Sequence, residues 1–374
     1  MKRNSKIEFM RAFFCLMVIL FHAGRKLNIQ PIHIMNLEVT FLGYGYIGVE
    51  FFFLVSGFLL GKSVYKMRQQ SLQSPDLGEE TWSFWKRKFM SVFPHNVIAI
   101  VLVFGICAFE KNWHGVTLLK NLANAIPQLF FAQKLGFNFK SVNGITWYIS
   151  AMLISMLILY PLCRKYYSMF VHVIGPLIGF YLLGYIYFST GSVSGVNSWL
   201  ACDFKCVERA FAEISLGIVC FEIARQLSEK KKTKVQRGIA TFIEVFGYLF
   251  VTMFALFTLP KKYEIFCICL LAISIVLTFS EYSYGLSLFD HAWVYQLGKL
   301  SLPLYLNQMF AIHVAKIWGG VVSHPDSTYY TCAGFDCILC HFRASDKDVQ
   351  TFRSILLIPV SYSRQSLPCK QACR

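Results

Sequence analysis

An arginine and a histidine eleven residues apart lie in the first apolar stretch of the chain, Arg11 and His22. On an α-helix, eleven steps of 100° bring the two within roughly 20° of one another, about 16 Å apart along the axis. One helix face would then carry a guanidinium near one membrane boundary and an imidazole near the other, with Arg25 on a similar face three residues further on. An imidazole titrates in the range where a general base is useful. Ionisable side chains inside a membrane are costly and mark functional sites by default. The plainer reading is that Arg11 and Arg25 reach to opposite interfaces and His22 is satisfied between helices.

A second apolar stretch places Glu50 among aromatics, in Gly48-Val49-Glu50-Phe51-Phe52-Phe53, with Gly57 seven residues later on the same face. An unpaired carboxylate there would cost several kcal/mol or take up a proton. The plainer reading is that Glu50 merely pairs with Arg11 or Arg25 across two helices, which is compatible with a catalytic role. The small Gly57 invites close approach of another helix. Glu208, Arg209 and Glu213 open a later span. Glu208 and Arg209 are adjacent, so they point in different directions and each needs its own partner. Asn307 and Gln308, with His313 beyond them, interrupt the last span, where amides commonly join helices. Trp147-Tyr148 reads as an interfacial aromatic anchor.

The elements that must position these residues are transmembrane helices. Hydrophobic residues make up 56% of the 374 and charged residues 15%, against about 25% charged in soluble chains. A bilayer accepts apolar outer faces that a soluble fold could not bury. Each crossing needs about 20 apolar residues. The pattern gives spans at 7–27, 42–62, 91–109, 144–163, 168–188, 208–227, 238–259, 263–280 and 292–320. Residues 118–135 are short and contain Pro127, which suits a re-entrant or interfacial piece. The expected fold is an all-α polytopic bundle of nine to ten spans.

Lysines and arginines outnumber acids by 36 to 20, a net +16. The basic runs fall between apolar spans, so topology explains them and nucleic acid is not expected as a partner. Lys2, Arg3 and Lys6, the 62–88 stretch, Arg164-Lys165, and Arg225 to Arg237 all fall on one side. The positive-inside rule makes that side, and the N-terminus, cytoplasmic. Lys261 and Lys262 are the exception. The first helix is read as uncleaved, since Glu8 and Arg11 interrupt any signal-peptide pattern.

The composition changes near Ser323. Residues 1–322 form the membrane unit, and 323–374 are a Cys- and Ser-rich tail that is disordered or aberrant, with no apolar run long enough to span. Cys337-Ile338-Leu339-Cys340-His341 matches the haem-attachment spacing but has neither a following Met nor a helical domain around it. Zinc at Cys332, Cys337, Cys340 and His341 fits by ligand type alone. Neither haem nor metal is expected. The 13 cysteines show no disulfide framework, and those in spans, Cys15 and Cys107 among them, read as small hydrophobes.

Five elements, taken in order, resemble acyltransferase family 3, integral membrane proteins that move acyl groups, often acetyl, onto cell-surface glycans. They are Arg11 to His22; Gly48-Val49-Glu50 to Phe58; Lys86-Arg87-Lys88 to Phe93-Pro94; Thr146-Trp147-Tyr148-Ile149-Ser150; and Leu297-Gly298-Lys299-Leu300-Ser301 to Tyr305-Leu306. The resemblance covers residues 7–322. It implies that His22 is the catalytic base, that Arg11 helps position the acyl donor, and that Lys86, Arg87 and Lys88 contact acyl-coenzyme A as the donor, and Glu50 is read as a further assisting residue. No cofactor would be held permanently. The acceptor would be a hydroxyl of a cell-surface or lipid-linked saccharide, and the location a bacterial plasma membrane. The chain departs from the pattern in three places. Ser91 stands where a second arginine is usual, Asn307 and Gln308 follow Tyr305-Leu306 where a histidine is usual, and nine spans are counted where the family has ten. A proton-coupled transporter and an inactive relative are the rival readings. The absence of an inverted hydropathy repeat weighs against the transporter.

Overall fold

The computed structural model describes residues 4–34, 37–39, 42–70, 76–135, 141–196, 198–200 and 203–319. The tail from 320 onward, with the haem-like and zinc-like patterns, lies outside the described residues.

The first helix, α1 (Ser5–Lys26), is capped by Asn4, whose side chain accepts from the Ile7 amide. Arg25 and Lys26 fill its last turn, where cations suit the helix dipole. A small hairpin of β1 (Ile32–Ile34) and β2 (Leu37–Val39) follows. Next come α2 (Gly48–Gln70), α3 (Leu77–Glu110), α4 (Gly115–Leu129) and α5 (Trp147–Lys165). A helical turn, α6 (Tyr167–Met169), runs through a π-helical turn into α7 (Gly175–Thr190), which ends on left-handed Gly191. A second hairpin, β3 (Trp199–Leu200) with β4 (Asp203–Phe204), leads into α8 (Lys205–Ser228). The chain closes with α9 (Lys234–Leu256), α10 (Glu264–Phe279), the short α11 (Leu286–Phe289) and α12 (Ala292–Gly319). The fold is all-α, and outward side chains such as Phe188, Phe242, Leu177 and Val101 are exposed and apolar, as lipid contact requires.

Seven helical segments are long and apolar enough to cross a membrane. This is fewer than the nine to ten crossings expected from the pattern. Helices α8 and α12 fall outside the set. The first carries Lys205, Glu208, Arg209, Glu213, Glu222 and Arg225, and the second Lys299, Asn307, Gln308, His313 and Lys316.

One boundary differs from the sequence expectation. The basic motif Lys86-Arg87-Lys88 lies within α3 rather than in a loop, because Asp76 caps that helix at Gly78 and Glu79 and two acids occupy its first turn. At 34 residues, α3 is about 51 Å long. Helix α4 turns back beside α3, where the Asn96 side-chain amide donates to the carbonyls of Gln128 (2.9 Å) and Leu129 (3.2 Å). Its 15 residues cover about 22 Å, short of the roughly 30 Å hydrocarbon core.

Helices α2 and α8 run parallel and meet at glycines. A Cβ on Gly57 would overlap the Ile214 carbonyl, and one on Gly217 would overlap the Leu54 carbonyl. This is the close approach that Gly57 announced in the sequence. Helices α1 and α12 also run parallel, with Glu8 against Gly298, the Cys15 thiol donating to the Ser301 carbonyl (3.1 Å), and His22 against Gln308. Two apolar cores result. One joins α1, α2, α3, α5, α8 and α12, and the other joins α1, α2, α7, α8, α9 and α10.

Candidate active site

The end of the bundle at which α1 begins is the near end. His22 lies one turn from the other, far end of α1 and is half-buried. Its Nδ1 is 3.0 Å from Oε1 of Gln308 on α12. The Gln308 amide is fixed in turn, because its Nε2 donates to the Tyr305 carbonyl at 2.9 Å. That donation identifies the oxygen facing His22 as an acceptor, so Nδ1 of His22 carries the hydrogen. Nε2 then keeps its lone pair, which is the arrangement a general base needs.

The wall beside this pair comes from the segment between α4 and α5. Gln128 Oε1 accepts from the amides of Val142 (3.1 Å) and Asn143 (2.9 Å) and from the Ser141 hydroxyl (3.2 Å). Asn143 donates to the Leu306 carbonyl at 3.1 Å, and the Tyr305 hydroxyl donates to the Ile145 carbonyl at 2.9 Å. The loop is thus tied to α12 within one turn of Gln308. The buried acceptor oxygens of Asn143, Asn307 and Gln133 receive no hydrogen bond among the described residues, so the region is polar beyond what its own bonds use.

Toward the near end of α1, Arg11 donates to Glu8 at 3.2 Å and keeps about a third of its side chain exposed (29%). Lys88 on α3 lies within electrostatic reach of both Arg11 and Arg87. Lys86 and Arg87 are exposed and Lys88 is half-buried. Arg11 and the basic motif therefore lie on the same side of the near end, within electrostatic reach of one another. Tyr148 stands between the two levels, its hydroxyl 3.3 Å from that of Ser56 and its ring edge-on to Tyr305.

Glu50 is placed differently from the sequence expectation. Its partner is Arg209 of α8, which donates Nε to Oε2 at 2.7 Å and Nη2 to Oε1. Arg11 and Arg25 are not its partners: Arg11 bonds Glu8, and Arg25 lies over the Phe21 ring at 5.4 Å. The parallel α2–α8 packing explains the choice, because it puts Arg209 one turn inside α8 at the level of Glu50. Glu213, one turn further along, reaches the same guanidinium at 3.4 Å. All three side chains are buried, and the guanidinium packs over Trp147 (5.6 Å) and Phe53 (6.0 Å). Trp147 and Tyr148 are therefore interior residues rather than interfacial anchors.

Among the described residues, no group of three or more His, Cys, Asp and Glu side chains could hold a metal ion. Gln308 and Arg209 are the two site residues whose partners the sequence did not disclose. The replacement of the usual histidine by Asn307-Gln308 was the available signal for the first, and the charge of Arg209 within an apolar span was the signal for the second.

These features define a multi-pass helical membrane protein with a positioned imidazole in its interior. The family model described as the acyltransferase domain (Acyl_transf_3) matches residues 4–340. The chain belongs to acyltransferase family 3, as the five sequence elements implied. No curated protein matches it, and no solved structure does.

Proposed function

We propose that this membrane acyltransferase moves an acyl group, with acetyl as the leading case, from acyl-coenzyme A to a hydroxyl of a cell-surface or lipid-linked saccharide. The observation that carries this reading is the His22 Nδ1–Gln308 contact, which leaves Nε2 free to take a proton. In the reaction, the saccharide oxygen attacks the thioester carbonyl and its proton passes to Nε2. The carbon–sulfur bond breaks, and the departing thiolate recovers the proton. Arg11, Lys88, Arg87 and Lys86 offer cations to the phosphates of the donor at the near end. Glu50 serves the site at one remove, by holding Arg209 against Trp147 beside Tyr148. No resident cofactor is needed.

In this reading α8 and α12 also cross the bilayer, giving nine crossings in a bacterial plasma membrane. The near end is cytoplasmic because Lys6, Lys86, Arg87, Lys88, Arg164 and Lys165 collect there. The unit at 1–322 carries the activity, and 323–374 is an appended segment. The test is to incubate membranes containing the protein with radiolabelled acetyl-coenzyme A and count label in the saccharide and lipid fractions. Protein-dependent label supports the reading. Folded protein that transfers none, from acetyl- or longer acyl-coenzyme A, contradicts it.

A second reading, a proton-coupled transporter, is favoured by the two buried carboxylates around one guanidinium, since neither oxygen of Glu213 receives a hydrogen bond among the described residues. Solute uptake by proteoliposomes without an acyl donor would support it.

A further inference from the structure

The far ends of α3 and α12 hold a second imidazole with a defined partner on each nitrogen. His313 Nδ1 lies 2.6 Å from Oε2 of Glu110, whose other oxygen accepts from Lys316 at 2.9 Å. His313 Nε2 lies 3.6 Å from the sulfur of Cys107. Cys107 and Glu110 are three residues apart on α3, and His313 and Lys316 are three apart on α12, so each pair shares a helix face. The Glu110 carboxylate holds the hydrogen on Nδ1, which leaves the Nε2 lone pair toward the thiol. The order is nucleophile, base and orienting acid, recognised by geometry rather than by chain position.

A structural clamp accounts for Glu110 with His313 and Lys316, but it does not call for a thiol on the remaining nitrogen. Among the described residues, Cys107 is the one free cysteine that an imidazole nitrogen faces. Cys15 and Cys220 bond to backbone carbonyls instead. The thiol is buried, while the His313 side chain is 23% and that of Lys316 59% exposed, so the cluster opens at the histidine. His313 follows Gln308, the partner of His22, by five residues on α12, about 7.5 Å along the axis.

We propose that Cys107, His313 and Glu110 form an acyl-holding site, in which the Cys107 sulfur carries the transferred acyl group as a thioester. In loading, the sulfur attacks the carbonyl of an acyl thioester, His313 Nε2 takes the S–H proton, and the leaving thiolate collects it as the donor carbon–sulfur bond breaks. In unloading, an acceptor hydroxyl attacks the Cys107 thioester, its proton passes to Nε2 of His22, and the Cys107 thiolate recovers it as the carbon–sulfur bond breaks. One thioester is formed and consumed per cycle, with no oxidant or reductant. The proposal rests on the acyl-transfer reading.

The test uses full-length protein in membranes, incubated without saccharide with radiolabelled acetyl-coenzyme A and, separately, with radiolabelled 4-nitrophenyl acetate, which needs no coenzyme A site. Denatured protein is then treated with neutral hydroxylamine, which releases thioesters. Label on Cys107 is expected with both reagents. It should be absent in Cys107→Ser and reduced about 100-fold or more in His313→Gln, the size of loss typical when a positioned base is removed. Glu110→Gln should shift the pH profile of labelling, which a purely structural role would not do. Hydroxylamine-labile label that persists in Cys107→Ser, or no Cys107 label from either reagent in folded wild type, overturns the site. Label from 4-nitrophenyl acetate alone supports the triad while counting against coenzyme A as donor. Saccharide transfer that is undiminished in Cys107→Ser leaves His22 chemistry intact and overturns the relay.

Discussion

The imidazole of His22 and the side-chain amide of Gln308 meet at 3.0 Å across two parallel helices, and this contact sets the tautomer of the histidine. Replacing Gln308 with Leu removes the acceptor and frees the ring to rotate. Small misplacements of a reacting group can cost on the order of 100-fold in rate. Gln308→Leu is expected to lower kcat by about ten- to 100-fold with little change in donor KM. Gln308→Glu, which keeps an acceptor at the same place, should lose much less. Steady-state transfer to the saccharide checks both.

The Arg209–Glu50 pair is buried from end to end. Removing one partner of such a pair leaves an uncompensated charge and costs about 3–5 kcal/mol. Arg209→Ala should therefore lower the melting temperature in detergent markedly, because both Glu50 and Glu213 lose their cation. Glu50→Gln, which keeps a hydrogen-bond acceptor and leaves Glu213 as counter-ion, should be milder. If Arg209→Ala melts with the wild type, the pair is not a structural centre.

Gly57 and Gly217 are the closest points between α2 and α8. Adding even one methyl at Gly57 forces the helices apart or strains them, at about 1–3 kcal/mol. Gly57→Ala should lose stability by that amount, and Gly57→Leu should abolish folded protein. Size-exclusion profiles and thermal melts in detergent read this directly.

The half-buried Lys88 and the exposed Arg87 make the clearest donor-binding test. Exposed charge contacts are worth about 0.2–1 kcal/mol each, and Lys88 is less exposed than that class. Lys88→Ala should raise the KM for acyl-coenzyme A about two- to tenfold, with kcat at saturation largely kept. Lys88→Arg should restore or improve binding through bidentate contact. An unchanged KM in Lys88→Ala would place the donor elsewhere.

The sequence displayed what local periodicity can display. Arg11 and His22 share a face of one continuous helix because nothing breaks α1 between Asn4 and Leu27. Gly57 foretold a close helix for the same reason. Pairings across the chain were not legible: Glu50 finds Arg209 from 159 residues away, and no spacing rule reaches that far. Trp147 and Tyr148 looked interfacial because their sequence neighbours are apolar on one side and polar on the other. They are interior because α4 folds back against α3 and residues 141–146 are tied to α12. The early start of α3 was readable, since Asp76 followed by Glu79 three residues later is a helix-start signature. The polar composition of 77–88 conceals it from hydropathy alone.

The central claim is that His22 is the base. The most direct measurement is single-turnover transfer of radiolabelled acetyl from acetyl-coenzyme A by purified protein, comparing wild type with His22→Ala at matched folded fraction. A base contributes about 100- to 10,000-fold, so a loss of that size with intact coenzyme A binding is the predicted result. Full transfer activity in His22→Ala would contradict the account.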